Sequence, residues 1–291
     1  YGLPRRMPLG VDNNKMILLI AVLEKRCGIP FYNRLIDQSQ GVRDNIIELV
    51  TEPGARLESE VPSYLNAEIS KMTNANEVFG ALAQGYSRWG DVLAQSHVSS
   101  GPAMADVLDK LMSLEIVQKR APINDPTNKR KSGYFVVDPL SLFYYRYVFR
   151  NASARQLLDP EVFYDRHVSQ DFEENYVPHM FEEICRQYLV RQNRAGKIEP
   201  AFDAIGKYWY DDPANKTSGE FDVVTQDPEG YAFYEAKFRK SPVTQKMVDE
   251  EIAQVEATGL KCHRYGFFSR SGFEAGESDR TVFIDLPQMF G

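Results

Sequence analysis

Residues 220–238 read EFDVVTQDPEGYAFYEAKF. Two runs rich in aromatic and β-branched residues flank the turn-forming stretch 227–230, which is typical of an antiparallel hairpin. Because side chains alternate between the faces of a strand, Glu235 and Lys237 are expected to share one face. Asp222 precedes Glu235 by thirteen residues, so the hairpin places it nearby on the neighbouring strand. The stretch therefore predicts two carboxylates and a lysine within one β-sheet.

Such a group suits chemistry with a divalent metal ion. Carboxylate oxygens are hard ligands, and Mg²⁺ usually takes one or two of them while keeping several waters. A bound metal lowers the pKa of water and offsets charge that builds on a phosphate. We predict that Asp222 and Glu235 bind Mg²⁺ or Mn²⁺, and that Lys237 positions the attacking water or stabilises the developing charge. The alternative is an ion-pair ladder across a hairpin, without metal.

A fourth acidic residue is predicted from helix geometry. Residues 176–191 form a helical pattern whose apolar face includes Phe181, Cys185 and Leu189. Glu182 falls at the edge of that face, where it would complete the metal shell or orient a water. A solvated helix residue is the alternative for Glu182.

The pattern around the hairpin is that of an α/β domain. Further strands are predicted near Tyr208–Tyr210, Arg264–Ser269 and Thr281–Leu286. A long helix is predicted between the hairpin and the last two strands, from about Thr244 to Thr258. A helix, a meander of strands, a helix and further strands define an α/β domain with a mixed sheet.

Upstream, three short helices precede a second hairpin. The helices are predicted over 76–84, 89–96 and 102–114, and the strands over 116–120 and 134–137. This order is the winged-helix arrangement, a variant of the helix-turn-helix. The fold class is therefore multidomain, with α and α/β parts.

The second hairpin is basic, which favours contact with nucleic-acid phosphates. The predicted nucleic-acid-binding residues are Lys119, Arg120, Lys129, Arg130 and Lys131. The helix that would enter a DNA groove is acidic on balance, whereas base-reading helices usually offer Arg, Lys, Asn or Gln. Two roles remain open for the winged-helix region: it contacts the DNA backbone, or it is an adaptor between neighbouring domains. A sequence-specific repressor is the least favoured function.

The composition limits the other function classes. Apolar residues make up 43% of the 291 residues and the net charge is −7. That charge argues against a protein that binds nucleic acid over its whole surface. The longest apolar run, residues 16–23, is far shorter than the roughly 20 residues that span a membrane. The three cysteines and four histidines lack metal-ligand spacing. We expect a cytoplasmic protein without a membrane partner; its oligomeric state is not encoded in any visible pattern.

Several short motifs occur together and in a fixed order. In the second half they are Phe181-Glu182-Glu183-Ile184-Cys185, Trp209, Glu220-Phe221-Asp222-Val223-Val224 and Tyr234-Glu235-Ala236-Lys237-Phe238. In the first half they are Gly28-Ile29-Pro30-Phe31-Tyr32, Asp44-Asn45-Ile46, residues 114–122 and residues 134–139. Together they resemble the C-terminal part of archaeal-type AAA+ ATPases, whose tail is a PD-(D/E)XK restriction-endonuclease-like domain.

The resemblance implies a domain order. Residues 1–60 would be a remnant of the helical ATPase lid, 61–139 a winged-helix domain and 140–291 the nuclease-like domain. The catalytic residues would be Glu182, Asp222, Glu235 and Lys237.

The resemblance also implies an activity. The tail would be a metal-dependent DNA phosphodiesterase; the alternative is a non-catalytic module that docks DNA or a protein and regulates the ATPase. The phosphate-binding loop GxxxxGK[ST] is absent from this chain, because Gly196-Lys197 is followed by Ile198. We therefore expect ATP to bind only in an ATPase domain upstream of Tyr1, with no nucleotide-cofactor site in the chain itself.

Overall fold

The computed structural model describes residues 35–69, 72, 74–212, 217–276 and 278–290. Their contacts group into two compact units. The first unit contains the described residues up to Arg120 together with Lys129–Asn175, and the second contains Ala121–Asn128 and the described residues from Tyr176 onward. The lid-like motif at 28–32 lies outside the described residues. The division into domains at 1–60, 61–139 and 140–291 stays a prediction.

The first unit is mainly helical. Its first helices are α1 (Val42–Ile46, continued by a π-helical turn Ile47–Thr51), α2 (Glu60–Ile69), α3 (Ala75–Ala83), α4 (Trp89–Ser96) and α5 (Gly101–Ser113). Strands β1 (Val117–Arg120) and β2 (Gly133–Val136) then pair antiparallel. The unit continues with α6 (Pro139–Phe143), a π-helical turn (Tyr144–Phe149), α7 (Ala152–Leu157), α8 (Pro160–His167) and α9 (Ser169–Asp171), and a further π-helical stretch (Phe172–Tyr176) follows α9.

Helix α5 shows how local sequence fixes an element. Ser100 caps its N-terminus, since the Ser100 side chain accepts a hydrogen bond from the Ala103 N–H at 3.4 Å. Pro102 lies in the first turn, where its missing N–H costs nothing. The apolar stripe is buried, with Met104 and Leu111 fully inaccessible. The predicted helix over 102–114 is confirmed to within one residue at each end.

The second unit contains a five-stranded mixed sheet. It begins with α10 (Val177–Arg194) and continues with β3 (Ala204–Asp212), β4 (Thr217–Asp227), β5 (Gly230–Lys237), α11 (Gln245–Ala257), β6 (Cys262–Ser269), β7 (Thr281–Asp285) and α12 (Leu286–Phe290). The strands lie in chain order; β3, β4 and β5 are antiparallel, and β5, β6 and β7 are parallel. Helix α11 supplies the crossover that the parallel β5–β6 pair needs.

Helices cover both faces of this sheet. On one face α10 packs with its aromatic side chains: the Phe181 ring lies 5.3 Å from that of Phe238, and the Tyr188 ring 5.9 Å from that of Phe268. On the other face α11 joins a buried cluster that includes Phe221, Val224, Phe233, Val248, Val255, Tyr265 and Phe267. Because both faces are covered, a charged side chain on this sheet is costly unless it has partners.

The edge strand β3 is covered by residues Ala121–Asn128 of the same unit. The Ile123 N–H donates to the Lys207 carbonyl at 2.7 Å. The Asn124 side chain donates to the Trp209 carbonyl at 2.7 Å and accepts from the Trp209 N–H at 3.1 Å. These bonds satisfy backbone groups that an edge strand otherwise leaves open to other chains.

The described residues thus form two compact units with mixed helices and sheets, and the predicted combination of α and α/β parts is confirmed at that level. It combines a small antiparallel sheet with a five-stranded mixed one. Within the described residues, no helix has the length and apolar character required to cross a membrane.

Candidate functional site

Strands β4 and β5 carry three of the four predicted catalytic residues. Their antiparallel register pairs Val223 with Tyr234, so Asp222 and Glu235 occupy neighbouring strands one step beyond that pair. Strand β5 alternates regularly, and Glu235 pairs with Phe267 of β6, a member of the cluster under α11. Glu235 and Lys237 therefore share the α11 face, as the sequence predicts.

Strand β4 does not alternate regularly at Asp222. Gly206 pairs with Val224 and Tyr208 with Phe221, so a single residue of β3 opposes both Asp222 and Val223. This is a β-bulge, in which two residues on one strand face one on its partner. Phe221 and Val224 consequently enter the same cluster. Strict alternation, which would place Phe221 and Val224 on opposite faces, is wrong here.

Lys237 forms the centre of one charged triad. Its Nζ donates to Glu235 Oε1 at 2.8 Å and to Glu251 Oε1 of α11 at 2.6 Å. The three side chains are only 23%, 30% and 25% exposed, for Lys237, Glu235 and Glu251 respectively. One ammonium thus serves two carboxylates in a partly buried position, which leaves one excess negative charge in this triad.

Lys207, on β3, forms the centre of a second triad. Its Nζ donates to Asp222 Oδ1 and to Glu220 Oε1, both at 2.7 Å. Burial alone lowers the pKa of Lys207, but the two carboxylates outweigh that effect and the pKa is raised. Here too one ammonium serves two carboxylates, and one negative charge is in excess. Asp222 and Glu235 are therefore each held by a different lysine.

The electrostatics link the two triads. Burial raises the pKa of Glu235 to about 7; Lys237 opposes this shift, while the charges of Glu251 and Asp222 add to it. The pKa of Lys237 is raised, because Glu235 and Glu251 together outweigh its own burial. Lys237 therefore keeps its charge, whereas Glu235 is a carboxyl group that takes up a proton near neutral pH. The Asp222 carboxylate lies close enough for its charge to raise the pKa of Glu235.

Glu182 lies on α10, the helix on the opposite face from α11. Its carboxylate is 3.6 Å from His179 Nδ1, one turn earlier on the same helix. Burial is the main cause of the raised pKa of the Cys185 thiol, and the charges of Glu182 and Glu235 both add to that shift. Glu182 and Glu235 thus both lie within electrostatic range of Cys185. The described contacts do not join Glu182 directly to Asp222, Glu235 or Lys237, and its catalytic role stays a prediction.

Two members of the triads, Lys207 and Glu251, were not singled out from the sequence. A signal exists for Glu251, since it falls on the apolar stripe of α11 between Val248 and Val255, where a charge needs a buried partner. Lys207 gives no comparable signal. Its partners lie on the next strand, and the bulge that brings them opposite Lys207 depends on the pairing of two strands.

The carboxylates of Asp222 and Glu235 are the type of ligand that Mg²⁺ prefers, but they do not form a complete coordination shell. Among the described residues, no group of three or more His, Cys, Asp and Glu side chains is placed to hold a metal. A Mg²⁺ site commonly uses one or two carboxylates, with water and phosphate oxygens as the other ligands. The excess negative charge of the triads and the partly buried Glu235 carboxyl are compatible with that type of site.

The five predicted nucleic-acid-binding residues surround β1 and β2. Lys119 is exposed and lies over the Tyr134 ring at 5.3 Å, and the half-buried Arg120 lies over the Phe135 ring at 5.7 Å. Aromatic rings thus hold these two cations in place. In the connection between the strands, Lys129 and Arg130 are exposed and Lys131 is half-buried. The hairpin therefore presents basic groups to solvent.

The chain is similar to proteins whose function is not established. Residues 144–252, just over one third of the chain, match a family described as archaeal and bacterial proteins of unknown function (DUF234). An uncharacterized protein of Methanocaldococcus jannaschii is 24% identical over 186 residues, which cover 63% of this chain and 40% of the relative. The chain thus spans well under half the length of that relative.

Two solved structures show weak likeness. A Vibrio cholerae protein has a TM-score of 0.29 at 9% identity, over 86% of this chain and 58% of its own. Human N-acetylserotonin methyltransferase, solved with SAM, has a TM-score of 0.20 at 13% identity, over 80% of this chain and 66% of its own. Likeness at this level supports no statement about fold or activity.

Proposed function

We propose that the second unit is a PD-(D/E)XK-type, metal-dependent phosphodiesterase that acts on DNA. The observation that carries the proposal is the pair Glu235 and Lys237 on the central strand β5, with the Asp222 carboxylate within electrostatic range on β4. The order α10, β3–β4–β5, α11, β6 agrees with the nuclease-like tail that the motifs resemble.

In this proposal each side chain has a distinct task. Asp222 and Glu235 would hold Mg²⁺ or Mn²⁺, and Glu182 would orient a water or complete the shell. Lys237, whose Nζ lies 2.8 Å from Glu235, positions the attacking water or neutralises charge on the phosphate. The metal ion would supply a water of lowered pKa and an electrostatic clamp on the phosphate.

The charge of the site supports a dication. Each triad has two carboxylates and one ammonium. Burial chiefly raises the pKa of Glu235, and the charges of Glu251 and Asp222 add to the shift. A bound dication would favour the ionised carboxylate and lower that pKa, so metal binding and proton release from Glu235 would be coupled.

The rest of the protein fits a DNA-directed role. The basic hairpin β1–β2 follows three helices, α3, α4 and α5, and in this proposal it would be the wing of a winged helix and contact DNA phosphates. The parent protein would be an archaeal-type AAA+ ATPase whose ATP site lies in another domain. The M. jannaschii relative, of which this chain covers 40%, is long enough to hold further domains.

One observation favours a second function, a non-catalytic module that docks DNA or a protein and regulates an ATPase. Asp222 and Glu235 already have different lysine partners, Lys207 on β3 and Lys237 on β5. A pair of structural triads of this kind needs no metal.

The decisive experiment is calorimetric titration with Mn²⁺, followed by plasmid nicking on the same samples. The variants are Asp222→Asn and Glu235→Gln, which keep size and remove charge. Glu229→Gln, an exposed change in the β4–β5 turn, is the matched control. We expect both site variants to bind Mn²⁺ at least about 10-fold more weakly and to lose nicking, because a metal ligand is gone.

The outcomes separate the two functions. Parallel loss of Mn²⁺ binding and nicking in the site variants, with Glu229→Gln unchanged, supports the phosphodiesterase. A wild-type chain that binds no Mn²⁺ excludes the metal site and favours the docking module. Nicking that survives in both site variants would assign the activity to other residues.

A further inference from the structure

The first unit contains a polar cavity of about 470 Å³. The π-helical turn after α6 lines one side with Arg146 and Tyr147, and Arg150 follows that turn. Helices α8 and α9 line the other side with Arg166, His167 and Asp171. Turns of π-helix are rare and frequently occur at functional sites.

Asp171, the carboxylate in the wall, is fully engaged. It accepts hydrogen bonds from Arg146 Nε at 2.5 Å and Nη2 at 2.8 Å, from the Tyr147 hydroxyl at 2.7 Å and from Asn175 Nδ2 at 2.9 Å. The bonds from Arg146 are the main reason that the pKa of Asp171 falls to about 2, so it stays ionised. Arg146 also donates to the Ala83 carbonyl at 3.1 Å. Asp171 and Arg146 thus neutralise each other and form a fixed wall.

The other two arginines that line the cavity are available to bind a ligand. Arg150 and Arg166 are exposed, and within the described part of the chain neither forms an ion pair. His167 is half-buried, with its ring 5.2 Å from that of Phe163. Three guanidinium groups and a single carboxylate therefore line the cavity, an excess of two positive charges even with a neutral imidazole. Such an excess attracts a dianion.

We propose that this cavity binds a small phosphorylated molecule, with its phosphate on Arg150 and Arg166. One guanidinium group donates two parallel hydrogen bonds to two phosphate oxygens, which makes arginine the preferred residue for such a site. The cavity volume lies in the usual range for small-molecule sites, roughly 300–1,000 Å³. The Tyr86 ring, 37% exposed, lies in the same wall and offers an apolar face to a base or sugar. A nucleic-acid strand would need a continuous basic groove instead.

The test is calorimetric titration of the whole chain with pyrophosphate and with adenosine monophosphate. The variants are Arg150→Gln and Arg166→Gln, singly and together, with the exposed Arg56→Gln of the same unit as a matched control. We expect saturable binding to the wild type and to Arg56→Gln. We expect each single variant to bind about 10-fold more weakly, and the double variant not measurably, because charge-assisted bonds to phosphate are lost.

Three results would overturn the proposal. The first is no saturable binding of either probe at millimolar concentration. The second is unchanged affinity in the double variant. The third is binding of a short single-stranded oligonucleotide that the double variant abolishes while neither small probe binds, which would assign Arg150 and Arg166 to nucleic acid. Thermal unfolding of each variant checks the fold, and equal midpoints are expected because both arginines are exposed. None of these readouts involves Asp222 or Glu235, so the inference stands or fails independently of the phosphodiesterase proposal.

Discussion

Glu235 shares its lysine with Glu251 in a partly buried position, and this burial is the main cause of its response to pH. Its pKa is about 7 in the folded protein, against an ordinary value of 4.5. The folded protein therefore holds this proton more tightly than the unfolded chain does. It follows that the contribution of Glu235 to stability is fully present below pH 4.5 and is lost as the pH rises through about 7.

Glu235→Gln should remove this pH dependence. In the absence of metal, the wild type should lose about 1–3 kcal/mol of unfolding free energy relative to Glu235→Gln between pH 4.5 and pH 8. Urea unfolding in EDTA across this range measures the difference, and Glu229→Gln serves as the control. A constant difference between wild type and Glu235→Gln would show that Glu235 titrates normally.

At the scale of elements, Gly266 fixes the contact between β5 and β6. A Cβ at Gly266 would lie 2.1 Å from Cδ1 of Tyr234, its partner in the parallel register. Tyr234 is 5% exposed, so its ring has no free space to enter. The pairing of β5, the strand that carries Glu235, with β6 therefore depends on the missing side chain.

Gly266→Ala should destabilise the second unit by about 1–3 kcal/mol or more, as overpacking does in close-packed cores. Chemical denaturation of the variant measures the loss. Gly276→Ala, where a Cβ meets no atom within 4 Å, is the control and should be nearly neutral. A Gly266→Ala protein as stable as the wild type would mean that the Tyr234 ring can shift.

Most elements follow from local sequence. The helix over Trp89–Ser96 is predicted to the residue, and every strand of the large sheet is predicted. The predicted bounds are too short for β3, β4 and β6, whereas those for β5 and β7 end one residue late. Helices α7 and α8 were missed, because their residues show only a weak apolar stripe. The bulge at Asp222 was missed because it arises from pairing with β3, which no single-strand pattern records.

The candidate site was predictable only in part for the same reason. Glu235 and Lys237 lie two residues apart on one strand, so alternation alone places them together. Lys207 and Glu251 approach their partners from another strand and from a helix, and those contacts depend on register and on packing. Whether Asp222 and Glu235 bind a metal stays a prediction.

At the scale of the whole molecule, a net charge of −7 opposes general attraction to DNA, so contact must be local. If the β1–β2 hairpin provides it, a Lys129→Gln/Arg130→Gln double variant should bind DNA more weakly at low salt. The slope of log K against log salt should fall by about 1 for each charge removed. Fluorescence anisotropy over a salt series measures both effects.

A double variant that removes the same charge elsewhere, Arg56→Gln/Lys246→Gln, is the control and should leave the slope nearly unchanged. Both of its residues are exposed and lie outside the hairpin. Equal slopes for the two double variants would show that net charge, and not the hairpin, governs DNA binding.

The β4 bulge also has an evolutionary consequence. It accommodates one residue that a regular strand would not contain, so the segments before and after it follow opposite phases of the in–out pattern. Relatives that lack the bulge should show a one-residue gap between the positions of Phe221 and Val224, while their hydrophobic positions on both sides stay aligned. A family alignment would then show whether the bulge at Asp222 arose before or after the Glu235-Ala236-Lys237 motif, which lies on a regular strand.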